Sequence, residues 1–318
     1  MGKELLLQVK DLKKYYPVTG GQLKAVDGVS FAIEKGTTLG LVGESGCGKS
    51  TTGRMVLRLA GEKTGGNVSF QGQDIYALRP KQLRQLRPKM QLIFQDPLSS
   101  LSPRLPVGEL IAEGVREHRL VPRQQLDGYV SEIMTRCGLQ PAYKSRYPHE
   151  FSGGQRQRIS IARALALQPE FVVCDEPVSA LDVSVQAQIV NLLKDLQKDT
   201  GLTYLFISHD LSVVEHMCDR VAVMYLGKIV EQGQTAELYE KPMHPYTQAL
   251  LASVPMPDPD HRGAETVLQG TVPSPVNPPE GCPFHPRCPN AMDICTHTVP
   301  ALTHRSGRLC ACHLYPTD

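Results

Sequence analysis

Long apolar runs and an excess of charge of either sign are both missing from this sequence. No stretch of its 318 residues approaches the ~20 apolar residues that a membrane-spanning helix needs, so we expect no helix to cross a bilayer. The net charge of +2 gives no indication of a nucleic acid or a membrane surface as partner. The N-terminus has neither a signal-peptide pattern nor the Ser or Thr at position 6 that myristoylation favours. We therefore expect a cytosolic protein with reduced thiols.

Residues 1–253 have the composition and the periodicity of an α/β domain. Short runs rich in Val, Ile, Leu and Phe alternate with stretches of helical period such as residues 155–167 and 185–198. This alternation predicts a mostly parallel sheet with helices on both faces. The predicted strands are residues 5–9, 38–42, 91–94, 171–174, 203–207 and 220–225. Residues 101–147 contain no strong strand, which predicts an inserted helical subdomain at about 97–168.

The composition changes after Ser253. Almost half of the 25 prolines lie in residues 254–318, which predicts little regular helix or sheet there. A tail so rich in proline would normally be disordered, but five of the nine cysteines also lie in it, which indicates that something holds it in place. These five are Cys282, Cys288, Cys295, Cys310 and Cys312.

The spacing of these cysteines leaves the bound group open. Four thiolates suit either a [4Fe–4S] cluster or tetrahedral zinc, and the lack of C-x-x-C pairs disfavours an ordinary zinc ribbon. Unliganded thiols or disulfides are the third alternative. His285 and His313 are alternative ligands.

A phosphate-binding loop follows the predicted strand 38–42. Residues 43–51 fit the pattern G-x-x-x-x-G-K-[ST] and lead into a helical pattern, which is the context that this motif requires. Its glycines let backbone N–H groups point at phosphate oxygens, Lys49 supplies a positive charge, and Ser50 is a candidate Mg²⁺ ligand. The predicted nucleotide contacts in this loop are Gly43, Glu44, Ser45, Gly46, Cys47, Gly48, Lys49, Ser50 and Thr51.

A pair of carboxylates ends the predicted strand 171–174. In α/β proteins ligands bind at this end of the strands, so Asp175 is a candidate Mg²⁺ ligand, directly or through water. Glu176 then follows as a candidate general base for an attacking water. Alone, such a pair is more often a helix cap; together with the phosphate loop it predicts a nucleotide hydrolase.

A second glycine-containing motif indicates which class of nucleotide hydrolase the chain resembles. Phe151-Ser152-Gly153-Gly154-Gln155 stands directly before a helical pattern and is a second candidate anion site, although Ser-Gly-Gly in isolation is usually a simple helix cap. In this order along the chain it resembles the signature of the ABC (ATP-binding cassette) ATPases.

Other positions are similar to further motifs of that family. Gln95 resembles the Q-loop glutamine that touches Mg²⁺, residues 179–182 with Asp182 resemble the D-loop, and His209 resembles the switch histidine. Tyr16 stands where the family places a ring that stacks on adenine, with Tyr15 as the less favoured alternative.

The resemblance implies a mechanism and a set of partners. Two cassettes would face each other head to tail, with ATP between one phosphate loop and the other chain's Ser152–Gln155 motif, and hydrolysis would reopen the pair. Gln95 and the helical insert would meet membrane subunits, which would be separate polypeptides.

The tail narrows the resemblance to one group of importers. His244-Pro245-Tyr246-Thr247, residues 273–279 and residues 281–288 are similar to the C-terminal extension of oligopeptide/dipeptide and nickel importer ATPases. The amino-acid sequence of the phosphate loop and of residues 151–159 most resembles that of the F-type subunit of dipeptide importers.

This narrower resemblance implies partners, a location and a cofactor. The partners would be a paralogous D-type cassette in a heterodimer, two permease subunits and, indirectly, an external peptide-binding protein. The location would be the cytoplasmic face of a bacterial inner membrane. Members of the group carry an iron–sulfur cluster, which here implies Cys282, Cys288, Cys295 and Cys312 as ligands, with Cys310 as an alternative for the last.

Three other functions stay open at this point. One is import of another solute such as nickel or a glycoside, because a cassette does not touch the cargo. A second is a non-transport ABC ATPase acting in translation or DNA repair, but such proteins usually join two cassettes or insert a long coiled coil. A third is a module that binds ATP without hydrolysis, which Glu176 and His209 disfavour.

Overall fold

The computed structural model describes residues 4–253, 270–305 and 307–315. The strands are β1 Leu5–Val18, β2 Gly21–Glu34, β3 Thr38–Val42, β4 Gly65–Phe70, β5 Gln73–Asp74, β6 Met90–Ile93, β7 Phe171–Asp175, β8 Thr203–Ser208, β9 Arg220–Tyr225, β10 Lys228–Gln234, β11 Thr303–Arg305 and β12 Arg308–Cys310. The helices are α1 Lys49–Val56, α2 Pro80–Leu86, α3 Pro97–Ser100, α4 Val107–His118, α5 Leu126–Arg136, α6 Gly153–Leu165, α7 Val183–Thr200, α8 Leu211–Met217, α9 Thr235–Glu240, α10 Pro245–Ala252 and α11 Asp293–His297.

The described residues form two compact units. The helix-rich unit consists of Glu4, residues 34–37 and residues 77–207. The strand-rich unit consists of residues 5–33, residues 38–76 and the described part of 208–318. Among the residues that the structure describes, no helix has the length and apolar composition of a membrane span.

Three parallel strands form the centre of the helix-rich unit. β6 pairs with β7 and β7 pairs with β8, both in parallel, and every residue of β7 and β8 is buried. Buried apolar runs of this kind were predicted for all three strands, and these predictions are confirmed to within one residue at each end. The predicted helices 155–167 and 185–198 correspond to α6 and α7, each of which begins two residues earlier.

The strand-rich unit departs from the expected mostly parallel sheet. β3 and β9 are parallel, but β10 is antiparallel to β9, and β12 and β11 continue in the antiparallel sense. A separate sheet has the order β2-β1-β4-β5, and β4 is antiparallel to both β1 and β5. β2 was not predicted, because its inward residues Phe31 and Ile33 alternate with half-exposed ones and do not form an apolar run.

The expectation of little regular structure holds for the described part of the tail, and the regular elements that it does contain are short. β11, β12 and α11 all lie after residue 290. β12 pairs with β10, with Cys310 opposite Glu231, so the tail adds strands to the edge of a sheet. The physical reason is local: residues 301–310 contain no proline, and only the average over the tail is rich in it. The predicted domain boundary at residue 253 adjoins residues 254–269, which lie outside the described part of the chain, so the division stays a prediction.

Candidate nucleotide-binding site

The phosphate loop connects a fully buried strand to a helix. β3 ends at Val42 and α1 begins at Lys49. Gly43 and Gly48 have φ angles of 148° and 107°, and a Cβ atom at either would lie 2.1 Å from a backbone oxygen, that of Met224 or Ala25 respectively. Only glycine fits at these two positions, so the curl of the loop is fixed by close contact with neighbouring backbone.

Lys49 is directed into the loop. Its side chain is buried, and its Nζ donates hydrogen bonds to the backbone oxygens of Gly43 at 2.7 Å and Glu44 at 3.0 Å. Ser45 and Gly46 at the tip are exposed, while Cys47 is buried and burial raises the pKa of its thiol. The loop therefore holds a positive charge inside an exposed turn, which is the arrangement that a phosphate group requires.

Two residues outside the phosphate loop form hydrogen bonds with Glu44, the second residue of the loop. The Arg287 guanidinium donates two hydrogen bonds to the Glu44 carboxylate, at 2.7 and 3.0 Å, and the Glu44 N–H donates to the Tyr246 hydroxyl at 2.8 Å. Sequence reasoning missed the role of both, and no local pattern could have found it, because Arg287 lies 243 positions from Glu44.

Tyr15 and Tyr16 differ in what they contact. The Tyr15 hydroxyl donates to Asp27 Oδ1 at 2.5 Å, and burial, followed by this bond, raises its pKa. The Tyr16 ring is half-buried with the Lys14 ammonium 4.8 Å from its centre. The Tyr15 hydroxyl is therefore committed to Asp27, and the stacking of Tyr16 on a base stays a prediction.

His209 is exposed directly after β8. The next residue, Asp210, caps α8 by accepting hydrogen bonds from the N–H groups of Ser212 and Val213. The imidazole thus stands at a defined strand end and is open to solvent, as a group that contacts a ligand must be.

The carboxylates of the helix-rich unit lie at the end of β7. Asp175 is its last, buried residue, and Glu176 follows with φ +48°, a conformation that costs free energy outside glycine. The Glu176 N–H donates to the backbone oxygen of Ile207 at 3.0 Å, and Gln95 Nε2 donates to Glu176 Oε2 at 2.9 Å. The structure therefore brings Gln95 and Glu176 together, although they lie 81 positions apart.

The Ser152-Gly153-Gly154-Gln155 motif begins α6. Ser152 Oγ accepts the N–H of Gln155 at 3.4 Å, and the Gln155 side chain accepts the N–H of Ser152 at 3.1 Å, which forms a capping box. Both side chains are exposed. A Cβ at Gly154 would lie 2.4 Å from Val185 Cγ1, so this glycine allows α6 to approach α7 closely. The motif is a helix cap in this chain and also presents an open helix N-terminus.

Asp182 caps α7. Its Oδ1 accepts hydrogen bonds from the Ser184 hydroxyl at 2.7 Å and the Val185 N–H at 3.0 Å, which lower the pKa of the carboxyl. The next side chain, Val183, is 82% exposed.

The tail cysteines are arranged unequally. Burial, followed by the nearby thiols of Cys295, Cys312 and Cys288, raises the pKa of Cys282 to about 11. For Cys310 the charged neighbours that raise the pKa after burial are Glu231 and Cys312. Cys310 therefore has Glu231 and Cys312 as neighbours, whereas the thiols of Cys288 and Cys295 act on Cys282 and Cys312.

The thiols do not form a ready metal site. Within the described ranges, no group of three or more His, Cys, Asp or Glu side chains is arranged to hold a metal ion, so the structure does not support the metal-binding prediction. His285 and His313 each have a ring nitrogen 2.9 Å from a backbone oxygen, of Cys282 and Thr298 respectively.

Two segments of this chain match known protein families. Residues 26–179 match the family described as ABC transporter, and residues 230–295 match the family described as Oligopeptide/dipeptide transporter, C-terminal region. The oligopeptide transport ATP-binding protein AppF of Bacillus subtilis is 52% identical over 98% of this chain and 98% of its own length. A probable peptide ABC transporter ATP-binding protein of Sinorhizobium fredii is 53% identical over 98% of this chain and 90% of its own length.

Solved structures of similar fold cover the larger part of the chain. A cbiO1 protein of Clostridium perfringens, part of the cbiONQ ABC transporter complex, matches with a TM-score of 0.67 and 28% identity over 75% of this chain and 92% of its own. A dimeric ATP-binding cassette, solved in a post-hydrolysis state with ADP and phosphate, matches with a TM-score of 0.66 and 26% identity over 72% of this chain and 99% of its own.

Proposed function

Because this chain belongs to the family of ABC transporter ATP-binding proteins that carry an oligopeptide/dipeptide transporter C-terminal region, we propose that it hydrolyses ATP to power the import of di- and oligopeptides. The ATPase assignment is carried by Glu176, a carboxylate in a strained backbone conformation whose side chain is held by Gln95. The peptide cargo is supported by the names of relatives that match almost the whole chain.

The phosphate loop binds the nucleotide. Its N–H groups and Lys49 hold the phosphates, and Tyr16 stacks on the adenine. Mg²⁺ prefers oxygen ligands, which the side chains of Ser50, Asp175 and Gln95 supply, and when bound it offsets part of the phosphate charge. These roles suit the chemistry of the side chains.

Glu176 acts as the general base. Its carboxylate takes a proton from the attacking water, and the Gln95 amide, 2.9 Å away, holds the carboxylate in place. His209 contacts the γ-phosphate through an exposed imidazole.

A second cassette completes each nucleotide site. Two exposed features support this: the open N-terminus of α6 at Ser152, and Val183, a large apolar side chain beside Asp182 that is 82% exposed. A partner surface that covers both would bring Ser152, Gly153, Gly154, Gln155 and Asp182 to the partner's ATP. We propose that the partner is a paralogous D-type cassette.

The helix-rich unit docks on membrane subunits. Between α4 and α5 it has a cavity of about 1160 Å³, whose lining combines apolar residues such as Ala112, Leu126 and Val130 with the charged residues Glu109, Arg116, Arg119, Arg123, Asp127 and Lys144. A groove with both apolar and charged lining suits a short amphipathic helix of a permease. The chain would then lie peripherally on the cytoplasmic face of the membrane, with two permease subunits and, indirectly, an external peptide-binding protein.

The tail cysteines are proposed to hold a [4Fe–4S] cluster, with zinc as the alternative. Thiolates are the ligands of both. After burial, the thiols of Cys295, Cys312 and Cys288 are the causes that raise the pKa of Cys282, which supports these four over Cys310. No step of ATP hydrolysis is assigned to the cluster.

The domain division is proposed on composition and on the matched families. Residues 1–253 would form the ATPase domain, with its helical subdomain at about 97–168, and residues 254–318 the extension. The two matched segments, 26–179 and 230–295, follow each other in that order.

Replacing Glu176 by Gln tests the proposed function. We expect Glu176→Gln to abolish steady-state ATP hydrolysis while ATP binding persists, because the amide keeps the shape of the carboxylate but cannot accept the proton. Phosphate release and binding of a fluorescent ATP analogue measure the two properties, and size-exclusion chromatography with ATP and the co-expressed paralogue measures cassette pairing.

Asp195→Asn is the matched control, since Asp195 is an exposed carboxylate on α7 of the same unit. Turnover by Glu176→Gln at the rate of this control would remove Glu176 as the base. Peptide uptake by membrane vesicles that hold the whole transporter tests the cargo.

A further inference from the structure

One partly buried ion pair joins the C-terminal extension to the phosphate loop. Arg287 and Glu44 form two parallel hydrogen bonds, and their side chains are only 4% and 25% exposed. Paired N–H···O bonds between guanidinium and carboxylate fix geometry as well as charge. Removing one partner of a buried pair leaves the other charge uncompensated, which is costly.

The position of Arg287 is fixed by its surroundings. It ends a short 3₁₀ turn, His285–Arg287, between Cys282 and Cys288. Phe284, directly before this turn, is buried, and its ring centre lies 5.3 Å from those of Tyr225 and Tyr246. The guanidinium lies 6.0 Å from the centre of the Tyr225 ring. An aromatic cluster therefore anchors the turn that carries Arg287.

Tyr246 holds the same loop residue from its backbone side. Its hydroxyl accepts the Glu44 N–H at 2.8 Å, and its ring is fully buried 4.7 Å from that of Tyr225. Glu44 is thus held at its backbone by α10 and at its side chain by the extension. A loop whose first glycine is already fixed by contact with Met224 gains a second fixed point at the next residue.

The charge of Glu44 explains why this contact matters for the nucleotide. A bare carboxylate at the second position of a phosphate loop would repel a polyphosphate. Arg287 compensates that charge through its two hydrogen bonds to the Glu44 carboxylate. A phosphate loop without an acidic residue would not need Arg287 to compensate a negative charge, whereas a loop that contains Glu44 does.

We propose that Arg287 is a positioning residue of the nucleotide site, which holds and neutralises Glu44 so that the phosphate loop accepts ATP. The extension is then a working part of the ATP site. This inference rests on the proposed function, since it assumes that residues 43–51 bind ATP.

A double-mutant cycle on the full-length chain tests the electrostatic role. We expect Arg287→Gln to weaken binding of a fluorescent ATP analogue on the order of tenfold, because it leaves Glu44 uncompensated. The loss should appear in KM more than in kcat, and added salt should reduce it. Adding Glu44→Gln to Arg287→Gln should restore most of the affinity, since the repelling charge is then gone. Arg287→Lys should lie between wild type and Arg287→Gln, because it keeps the charge but loses the paired hydrogen bonds.

Arg308→Gln is the matched control. Arg308 is also a buried arginine of the extension, pairs with Glu231, and donates to the backbone oxygens of Glu237 and Lys241. We expect its replacement to lower thermal stability and to leave ATP affinity at the wild-type value. An equal loss of ATP affinity in Arg308→Gln, or a double variant no better than Arg287→Gln, would show a merely structural role and overturn the inference.

Failure of the inference and failure of the proposed function give different results. If wild type binds ATP, Lys49→Ala does not, and Arg287→Gln binds like wild type, only the role of Arg287 is lost. If wild type itself neither binds nor hydrolyses ATP, the proposed function is lost as well.

Discussion

At the scale of single residues, several side chains in this protein have both a structural and a proposed chemical role. Ser152 caps α6 and is also a proposed contact to a partner's ATP. Asp182 caps α7 and is the proposed D-loop aspartate. Sequence reasoning treated a helix cap as the alternative to function, and the structure shows that the cap exists in either case. Position alone therefore does not separate the two roles, and substitutions that keep the cap are needed.

Ser152→Ala and Ser152→Asn separate stability from turnover. Alanine removes the acceptor for the Gln155 N–H, so we expect it to lower the free energy of unfolding by about 1 kcal/mol. Asparagine is an equally good cap, so we expect it to restore stability. Turnover should fall in both, since neither has the hydroxyl.

Urea unfolding and phosphate release measure these two effects. If Ser152→Asn hydrolysed ATP at the wild-type rate, Ser152 would have no role beyond capping α6.

At the scale of elements, the contact between α6 and α7 is set by a residue without a side chain. Gly154 lies against Val185, and a Cβ would meet its Cγ1 at 2.4 Å. Because these helices carry the signature motif at one N-terminus and Asp182 at the other, their distance positions both proposed contacts to a partner.

Gly154→Ala and Gly128→Ala should change stability in opposite directions. We expect Gly154→Ala to destabilise the protein by about 1–3 kcal/mol, since the added methyl pushes Val185 away. Gly128 lies in α5 with nothing within 4 Å of its Cβ position, so Gly128→Ala should stabilise by about 0.5–1 kcal/mol through helix propensity. Chemical denaturation measures both. If Gly154→Ala left the free energy of unfolding unchanged, α6 and α7 would be able to move apart without a loss of stability.

The strands show which elements a sequence reveals. β7 and β8 are buried along their whole length, so their apolar runs are visible without any tertiary information. β1 extends to Val18, well beyond the apolar residues 5–9, and β12 has only three residues. Half-exposed and edge strands depend on a partner strand for their hydrogen bonds, and a local pattern does not identify that partner.

At the scale of the whole molecule, the extension is integrated with the unit that carries the phosphate loop. β12 pairs with β10, Tyr315 donates to the Met243 backbone oxygen at 2.9 Å, and Arg287 pairs with Glu44. A group that holds the tail cysteines together would therefore stabilise the strand-rich unit and not only the tail.

Cys312→Ala and Cys310→Ala test the bound group and its fourth ligand. After purification without oxygen, we expect about four irons and four sulfides per chain in the wild type and in Cys310→Ala, with a broad visible absorption band. Cys312→Ala should lose iron and colour and should unfold at lower temperature, because the tail loses its centre.

Iron, sulfide and zinc analysis, with the visible spectrum, measures these outcomes. One zinc and no colour in the wild type would make the tail a zinc-folded module. Full iron in Cys312→Ala would remove that residue as a ligand.

The sequence by itself determined the phosphate loop, the carboxylate pair at the end of β7, the signature motif and the buried parallel strands. Each of these depends on residues that are contiguous in the chain, where spacing and side-chain type decide the backbone conformation. Tertiary structure decided the Gln95–Glu176 contact, the strands of the tail and the hold of Arg287 on Glu44. The Gln95–Glu176 and Arg287–Glu44 contacts join residues 81 and 243 positions apart, and the path of the chain between such residues follows from the packing of the whole core, which no local period encodes.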